Sequence, residues 1–343
     1  MRLDLFEELA PICPRCLHFE QAVAPLRVAE RLETRGDHLW QGMLHCSNQS
    51  CWMEFPVIDG VPIITPDPQE TMRQAQAQIM ARSNPPAALA GVLGDALGQS
   101  ADFDRNRLHL GLYGWAHYSD WAGGEPASLA AISECGLASV PVGEGVAMDL
   151  GCSVGRTTWE MADGRTTLGA DLNIAMLRLA QTLALEGRVS FDLRRIGLVY
   201  DRVEVELPND MAGRPVDFWA VDCLALPFRA GAFGLACAVN LVDCIAAPTN
   251  LLHETARVVA PGAGAWFTTP YDWSETVTEK AAWLGGHSGR SPHAGAGEPV
   301  LTATLEQAGF DVIAEDQDVP WRLRMHARSV MHYSLHLVGC IRR

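Results

Sequence analysis

Four cysteines near the start of the chain have the spacing of metal ligands. Cys13 and Cys16 are separated by two residues, and Cys46 and Cys51 form a second pair separated by four. Two turn-borne pairs that come together supply four thiolates in the tetrahedral arrangement that zinc prefers. Two unrelated thiol pairs are the alternative, but four cysteines rarely cluster this closely in a cytoplasmic chain. We therefore predict one zinc ion with a structural role.

A second segment suited to chemistry lies at residues 146–162. An apolar strand ends at Leu150, Gly151 follows it, and a helix begins after Gly155. Glycine allows the backbone to turn sharply and a ligand to come close, and the free N–H groups of the following helix suit an anionic group. A dinucleotide fingerprint would have glycine at 153 and 156, where this chain has Ser153 and Arg156. The segment predicts a nucleotide-cofactor site, and NAD fits it less well.

The glycine segment resembles the first motif of class I S-adenosylmethionine (SAM) methyltransferases, and later stretches follow that family's order. Asp171, 22 residues after Asp149, ends the second strand, where its carboxylate would accept hydrogen bonds from the ribose hydroxyls. Asp222 opens the turn that the family uses to contact adenine, and a fourth strand ends near Asn240. The resemblance implies SAM as the cofactor and these binding residues: Asp149, Gly151, Cys152, Gly155, Arg156, Asp171, Leu172, Asp222, Cys223 and Asn240.

Rarer strings from residue 240 onward resemble the C-terminal methyltransferase domain of ovothiol-synthesis enzymes, which methylate an imidazole nitrogen of mercaptohistidine. They are Asn240-Leu241-Val242-Asp243, Pro270-Tyr271-Asp272-Trp273, Trp283-Leu284-Gly285-Gly286 and Val319-Pro320-Trp321. Those enzymes carry an iron-dependent sulfoxide synthase ahead of the methyltransferase, and this chain has the cysteine pairs there instead. The resemblance implies a small histidine-derived acceptor, methylated on nitrogen, sulfur or selenium.

The acceptor needs a lone pair in line with the bond from sulfur to methyl, so positioning supplies most of the rate. Asp243 is our candidate for fixing the imidazole tautomer, with a helix N-cap as the alternative role. Tyr271 is predicted to line the acceptor side. Further candidates for substrate binding, each with packing or solvent exposure as the alternative, are Trp273, Trp283, His287 and Arg324.

The elements that must position these residues alternate between strands and helices. Apolar runs predict strands at 146–150, 167–172, 216–221, 235–241 and 265–269. This alternation indicates an α/β fold, and with the family resemblance a doubly wound, seven-stranded Rossmann-like methyltransferase sheet. Residues 11–65 resemble the zinc-ribbon proteins that partner tRNA methyltransferases. We expect a zinc-ribbon domain at 1–68, a helical connecting or lid segment at 69–137 and the methyltransferase domain at 138–343.

Charge favours a small-molecule acceptor. The 343 residues include 26 basic and 41 acidic side chains, a net charge of −15, and Lys280 is the only lysine. A nucleic-acid partner is therefore not expected, because such binding normally needs a basic surface. The alternatives are a zinc-ribbon RNA methyltransferase and a non-catalytic SAM-binding partner protein. The chain lacks a membrane-spanning apolar run and is expected to be cytoplasmic; its oligomeric state stays open.

Overall fold

A computed structural model describes residues 1–81 and 85–343 of the chain. These residues form an eleven-stranded sheet flanked by helices, and a separate two-stranded hairpin. Within the described ranges no helix is both long and apolar enough to cross a membrane.

Thirteen strands are present in the described residues. Their bounds are β1 Leu26–Arg35, β2 His38–Cys46, β3 Glu54–Ile58, β4 Val61–Ile64, β5 Ala147–Leu150, β6 Thr167–Asp171, β7 Arg188–Ile196, β8 Val199–Glu206, β9 Val216–Val221, β10 Phe233–Val239, β11 Val259–Thr269, β12 Phe310–His326 and β13 Ser329–Arg342.

The helices of the same ranges fall mainly between strands β4 and β5 and after β5. Their bounds are α1 Leu3–Leu9, α2 Pro14–Phe19, α3 Pro68–Gln74, α4 Gln76–Met80, α5 Ala87–Leu97, α6 Asp102–Tyr118, α7 Ser128–Ala138, α8 Arg156–Met161, α9 Ile174–Glu186, α10 Pro248–Val258 and α11 Glu298–Ala308. Short 3₁₀ turns lie at Val242–Cys244, Lys280–Ala282 and Pro292–Gly295.

Seven strands form the Rossmann-like methyltransferase sheet, in the order β9-β6-β5-β10-β11-β13-β12. The first five run parallel, and β13 and β12 complete the sheet as antiparallel strands. Strands β5 and β9 are buried along their whole length, which explains their nearly unbroken apolar sequences. The predicted fold class is confirmed. Hairpin β7–β8 is not among the predicted strands because its buried apolar residues alternate with charged ones.

The cysteine-rich segment extends this sheet through a strand-to-strand pairing. Strand β4 lies parallel to β9, with Ile63 beside Ala220 and Ile64 beside Val221. Strands β3, β2 and β1 then continue the sheet to its far edge. Core residues of both parts pack in one cluster, in which Phe55 joins Trp219 and others. Strands from both sides of the predicted boundary at residue 68 therefore belong to one sheet. The division into three domains stays a prediction.

The described residues of the segment at 69–137 are mostly helical, and residues 82–84 of it lie outside the described residues. Its longest helix, α6, packs closely against β7, where the Cβ of any residue replacing Gly111 would come within 2.2 Å of the Asp192 carbonyl oxygen. The Tyr118 hydroxyl at the end of α6 donates to the Val154 carbonyl in the glycine turn. Helix α6 therefore connects the hairpin to the predicted cofactor site.

Candidate active site and four-cysteine cluster

The two cysteine pairs come together in the structure. The Sγ atoms of Cys13, Cys16, Cys46 and Cys51 all lie within 4.8 Å of one another. Cys13 Sγ is 3.9 Å from Cys51 Sγ, and Cys16 Sγ is 3.7 Å from Cys46 Sγ. Four sulfurs placed about 2.3 Å from a central zinc at tetrahedral corners would lie about 3.8 Å apart. The sulfur positions therefore fit a zinc ion.

The surroundings of the cluster also favour a cation. Burial raises the pKa of the Cys13 thiol and raises that of Cys16 to about 12. Four thiolates this close together would repel one another, and burial would disfavour each charge as well. A cation between them would offset both effects. The Asn48 side-chain amide lies 3.7 Å from Cys16 Sγ and its backbone N–H lies 3.4 Å from Cys46 Sγ, as donors to ligand sulfurs would.

Neither neighbouring histidine belongs to the cluster. His18 Nε2 lies 3.0 Å from the Leu226 carbonyl oxygen. His45 is partly exposed and lies beside Glu54, with 3.5 Å between His45 Nε2 and Glu54 Oε1. The four cysteines alone form the cluster among the residues that the structure describes.

The turn after β5 has a sharply bent backbone that lies close to its neighbours. Gly151 and Gly155 have φ values of 72° and 97°, and Ser153 adopts 54° although it is not glycine. A Cβ at position 155 would lie 2.5 Å from the Phe218 ring. Position 155 therefore requires glycine for packing as well as for its backbone conformation.

Asp171 at the end of β6 is fixed beside this turn. Its Oδ2 accepts the Ser153 N–H at 2.9 Å, and its Oδ1 accepts the Asn173 N–H at 2.8 Å. Burial raises the pKa of this carboxyl group, and the two backbone N–H groups act against that rise. Each oxygen keeps a lone pair that can accept a further hydrogen bond.

Asp149 at the end of β5 is held inside the sheet. Its carboxylate accepts the Thr158 hydroxyl at 2.7 Å and contacts the Cys237 thiol at 3.3 Å. Burial raises its pKa to about 6. Asp149 therefore ties β5 to helix α8 and β10, beneath the turn.

A cavity of about 450 Å³ opens at the carboxyl ends of β5, β6 and β10, where α/β folds bind their ligands. Five of the ten predicted cofactor residues line it. They are Asp149, Gly151, Cys152, Asp171 and Asn240. The remaining five are not in its lining: Gly155, Arg156, Leu172, Asp222 and Cys223.

Arg156 shows why some of the predicted residues lie elsewhere. Its guanidinium pairs with Asp120 at 2.7 Å and with Glu160 at 2.7 Å, and lies over the Trp121 ring. It joins α8 to the end of α6 and does not face the cavity. Leu172 is 48% exposed.

The other side of the cavity combines carboxylates with aromatic rings. Asp243 Oδ2 accepts the Asp272 N–H at 2.6 Å, so the carboxylate does not cap helix α10, whose N-cap is Ala247. Asp243 Oδ1 is buried and has no hydrogen-bond partner in the described part of the chain. The Tyr333 hydroxyl donates to Asp272 Oδ2 at 3.2 Å, and the Tyr333 ring stacks on Trp321 at 4.9 Å.

Tyr113 of α6 lies between the two sides of the cavity. The pKa of its hydroxyl is raised to about 12, mainly by burial, with smaller contributions from Cys244, from Asp171 on one side and from Asp243 on the other. The neighbouring His117 accepts the Arg156 N–H at Nδ1, and burial lowers its pKa to about 3. Tyr113 thus stays a neutral hydroxyl and His117 a neutral imidazole at physiological pH.

The other predicted acceptor residues do not line this cavity. The Tyr271 hydroxyl is hydrogen-bonded to His336 Nδ1 at 2.7 Å. Trp273 stacks on Trp283 at 6.0 Å, and Trp283 stacks on His287 at 6.1 Å. The Arg324 guanidinium lies over the Trp115 ring.

Several residues that line the cavity are not among the site residues predicted from the sequence. They are Tyr113, Cys244, Asp272, Trp321 and Tyr333. Tyr113 stands in an aromatic stretch that helix packing explains equally well, whereas Trp321 lies within the string Val319-Pro320-Trp321, which could have identified it. Asp272 lies within the string Pro270-Tyr271-Asp272-Trp273, which could have identified it.

The sheet order and the glycine turn define a Rossmann-like methyltransferase fold. Residues 148–267, about a third of the chain, match the family model described as a methyltransferase domain. The matched residues include Asp149, Asp171 and Asn240. The family match and the fold support a SAM-dependent methyltransferase.

Solved structures with a similar fold have low sequence identity to this chain. A SAM-dependent methyltransferase from Methanosarcina mazei is 19% identical, with 62% of this chain and 96% of that one covered at a TM-score of 0.41. The [4+2]-cyclase SpnF is 15% identical, with 82% and 98% covered at 0.46.

A chain of the complex between the Haloferax volcanii Trm112 methyltransferase activator and the putative methyltransferase is 18% identical, with 67% and 96% covered at 0.42. All three TM-scores are below 0.5, so the methyltransferase class is supported by the family match and not by these structures. No curated protein matches the chain in sequence.

Proposed function

We propose that the chain transfers a methyl group from SAM to a nitrogen, sulfur or selenium atom of a small histidine-derived compound. The proposed class of acceptor is supported by the composition of the cavity wall. Within the described residues it contains four aspartates, Asp149, Asp171, Asp243 and Asp272, and no lysine or arginine. Such a wall favours a neutral or cationic acceptor over an anionic one.

The donor side of the cavity suits the nucleoside end of SAM, which supplies an electrophilic methyl group on a sulfonium when bound. Asp171 is held by two backbone N–H groups and has lone pairs left for the ribose hydroxyls. Gly151 makes the sharp turn below the cavity at a φ of 72°, and Leu241 lies 3.0 Å from where a Cβ at this position would be. The acidic wall also suits the positive charge of a sulfonium.

On the acceptor side, Asp243 is the group that would fix an imidazole tautomer. The Asp272 N–H holds one carboxylate oxygen, so the orientation of the group is set before an acceptor enters. An imidazole N–H donated to this carboxylate would leave the other ring nitrogen with its lone pair free for the methyl group. Burial raises the pKa of Asp243, and a donated N–H would favour its charged form.

Tyr271 acts in this proposal through the backbone. Its φ of 57° turns the chain between β11 and the following loop, so that the next residue, Asp272, donates its N–H to Asp243. The bond from its hydroxyl to His336 holds that turn. Tyr271 is therefore a positioning residue for the acceptor side.

The four-cysteine cluster is proposed to hold one structural zinc ion. The spacing of its sulfurs fits a tetrahedral zinc, and all four positions would be occupied by thiolates. A site closed in this way has no open position for a substrate, so the ion would stabilise the fold and take no part in methyl transfer.

The acceptor is tested by incubating the purified full chain with SAM and separate candidate acceptors. Histidine, its thiol and selenol derivatives, and tRNA and ribosomal RNA form the panel, with mass spectrometry as the readout. We expect methylation of an imidazole, thiol or selenol compound and none of RNA. Methylation of RNA alone would establish the RNA methyltransferase alternative. Bound SAM without turnover on any acceptor would favour a non-catalytic partner protein.

A further inference from the structure

The cysteine-rich segment contacts the turn that follows β9. This turn spans residues 222–228, and the family resemblance gives it the contact with adenine. The Ile12 N–H donates to the Pro227 carbonyl at 2.7 Å, and His18 Nε2 lies 3.0 Å from the Leu226 carbonyl oxygen. Because a carbonyl oxygen only accepts, His18 must carry its proton on Nε2.

Leu226 is fixed through both of its backbone polar groups. Its N–H donates to Glu254 Oε2 at 3.1 Å, and its carbonyl accepts from His18 and from Arg257. His18 Nε2 lies 3.8 Å from the same Glu254 oxygen. The segment and helix α10 therefore hold the turn from two directions.

The position of His18 depends on the cysteine cluster. Helix α2 carries both Cys16 and His18, two residues apart. Cys13 and Cys16 pack in the same core cluster as Cys223, Leu226 and other residues of the turn. A change in the positions of the four sulfurs would therefore displace the residues around Leu226.

The other end of the turn begins next to the strand that carries Asp171, outside the lining of the cavity itself. Ala220 of β9 is paired with Asp171 of β6, so the turn begins two residues after the position beside Asp171, and the buried Cys223 packs in the same core cluster as Leu150 and Ala170. Asp222 accepts the Leu224 N–H at 2.9 Å, which fixes the first residues of the turn. One turn thus connects the segment at its end and the predicted ribose and adenine region at its beginning.

We propose that the cysteine-rich segment sets the conformation of the 222–228 turn for an adenine base, with His18 as a positioning residue. This inference rests on the proposed function, because it takes SAM as the ligand and the turn as its adenine site. Loss of the His18 bond would let the turn move and would weaken binding of any ligand that carries the adenosine group.

The test measures dissociation constants of SAM and adenosine by calorimetry on the full chain and its variants. In His18→Ala we expect binding of both ligands to weaken about threefold to tenfold, which corresponds to the loss of one neutral hydrogen bond. His18→Gln supplies an amide N–H donor and should restore both affinities to within about twofold of the wild type. His45→Ala is the matched control, since His45 contacts Glu54 and not the turn.

Zinc content is measured on every variant and should not change. Wild-type affinities in His18→Ala would overturn the inference, as would a loss for SAM without a loss for adenosine. A failure of His18→Gln to restore binding, or a fall in zinc content in His18→Ala, would assign the effect to general damage and also overturn it. If the wild-type chain binds no SAM, the proposed function fails first.

Discussion

The two sides of the cavity are built in different ways. The donor side comes from one stretch of chain, in which β5, the glycine turn and β6 bring Gly151 and Asp171 together. The acceptor side comes from separate parts, with Asp243 and Asp272 after β10 and β11 and Tyr333 on β13, and Tyr113 of α6 lies between the two sides. The methyltransferase family match at 148–267 includes the whole donor stretch and leaves out Tyr113 and Tyr333. The family match therefore covers the donor side completely and the acceptor side only in part.

The largest expected effect comes from the cysteine-rich segment, which contacts the 222–228 turn. The double variant Cys13→Ser with Cys46→Ser removes two of four thiolates, and structural zinc supplies about 10 kcal/mol or more to small zinc domains. We expect zinc content to fall from one per chain to none, with loss of SAM binding and of thermal stability. Metal analysis and calorimetry measure these quantities.

Cys135→Ser, at an exposed cysteine of α7, is the control and should keep its zinc. An unchanged zinc content in the double variant, or no zinc in the wild-type chain, would contradict the metal assignment.

Asp171→Ala should separate the donor side from the acceptor side. The variant loses hydrogen bonds to a charged acceptor, each worth about 1.5–3 kcal/mol, so SAM should bind tenfold to a hundredfold more weakly. The KM of the methyl acceptor should stay close to the wild-type value. Calorimetry for SAM and steady-state kinetics for the acceptor test the two statements.

Asp163→Ala provides a matched control, because Asp163 is an exposed aspartate on the loop after α8. Wild-type SAM affinity in Asp171→Ala would place the cofactor elsewhere.

Asp243→Asn should lower turnover and leave SAM affinity unchanged, in contrast to Asp171→Ala. An amide in place of the carboxylate can present an N–H to the acceptor nitrogen and stabilise the wrong tautomer, so kcat should fall by about tenfold. SAM affinity should stay within about twofold of the wild type, because the residue faces the acceptor. A matched loss of SAM affinity and kcat would show that the two sides are not separable.

Tyr333→Phe should give the smallest effect. The change keeps the ring on Trp321 and removes only the hydrogen bond to Asp272, which is worth about 0.5–1.5 kcal/mol. We expect the KM of the acceptor to rise about threefold while SAM affinity is unchanged. If SAM affinity falls and the acceptor KM does not, Tyr333 belongs to the donor side.

The sequence predicts the parts of the site that local geometry determines. A strand followed by Gly151 and Gly155 can only turn in a few ways, so the glycine motif and Asp171 could be recognised from spacing. The four cysteines could be recognised for the same reason.

Contacts between distant segments are not visible in the sequence. Arg156 looks like a cofactor residue from its position in the motif, but Asp120, which lies 36 residues earlier, pairs with its guanidinium. Trp273 and Trp283 are aromatic residues near the predicted pocket, and their stacking on each other depends on how the loop after β11 folds.

The pairing of β4 with β9 also determines which strand edge meets the solvent. Strand β9 is buried along its whole length, and its sequence Val-Asp-Phe-Trp-Ala-Val would be an apolar, unpaired edge without β4. Such edges promote aggregation. With β4 to β1 in place, the edge is β1, which carries several charged side chains and irregular pairing with β2. Cutting the chain near Pro66 should therefore yield a methyltransferase portion that aggregates, whatever its catalytic residues could do.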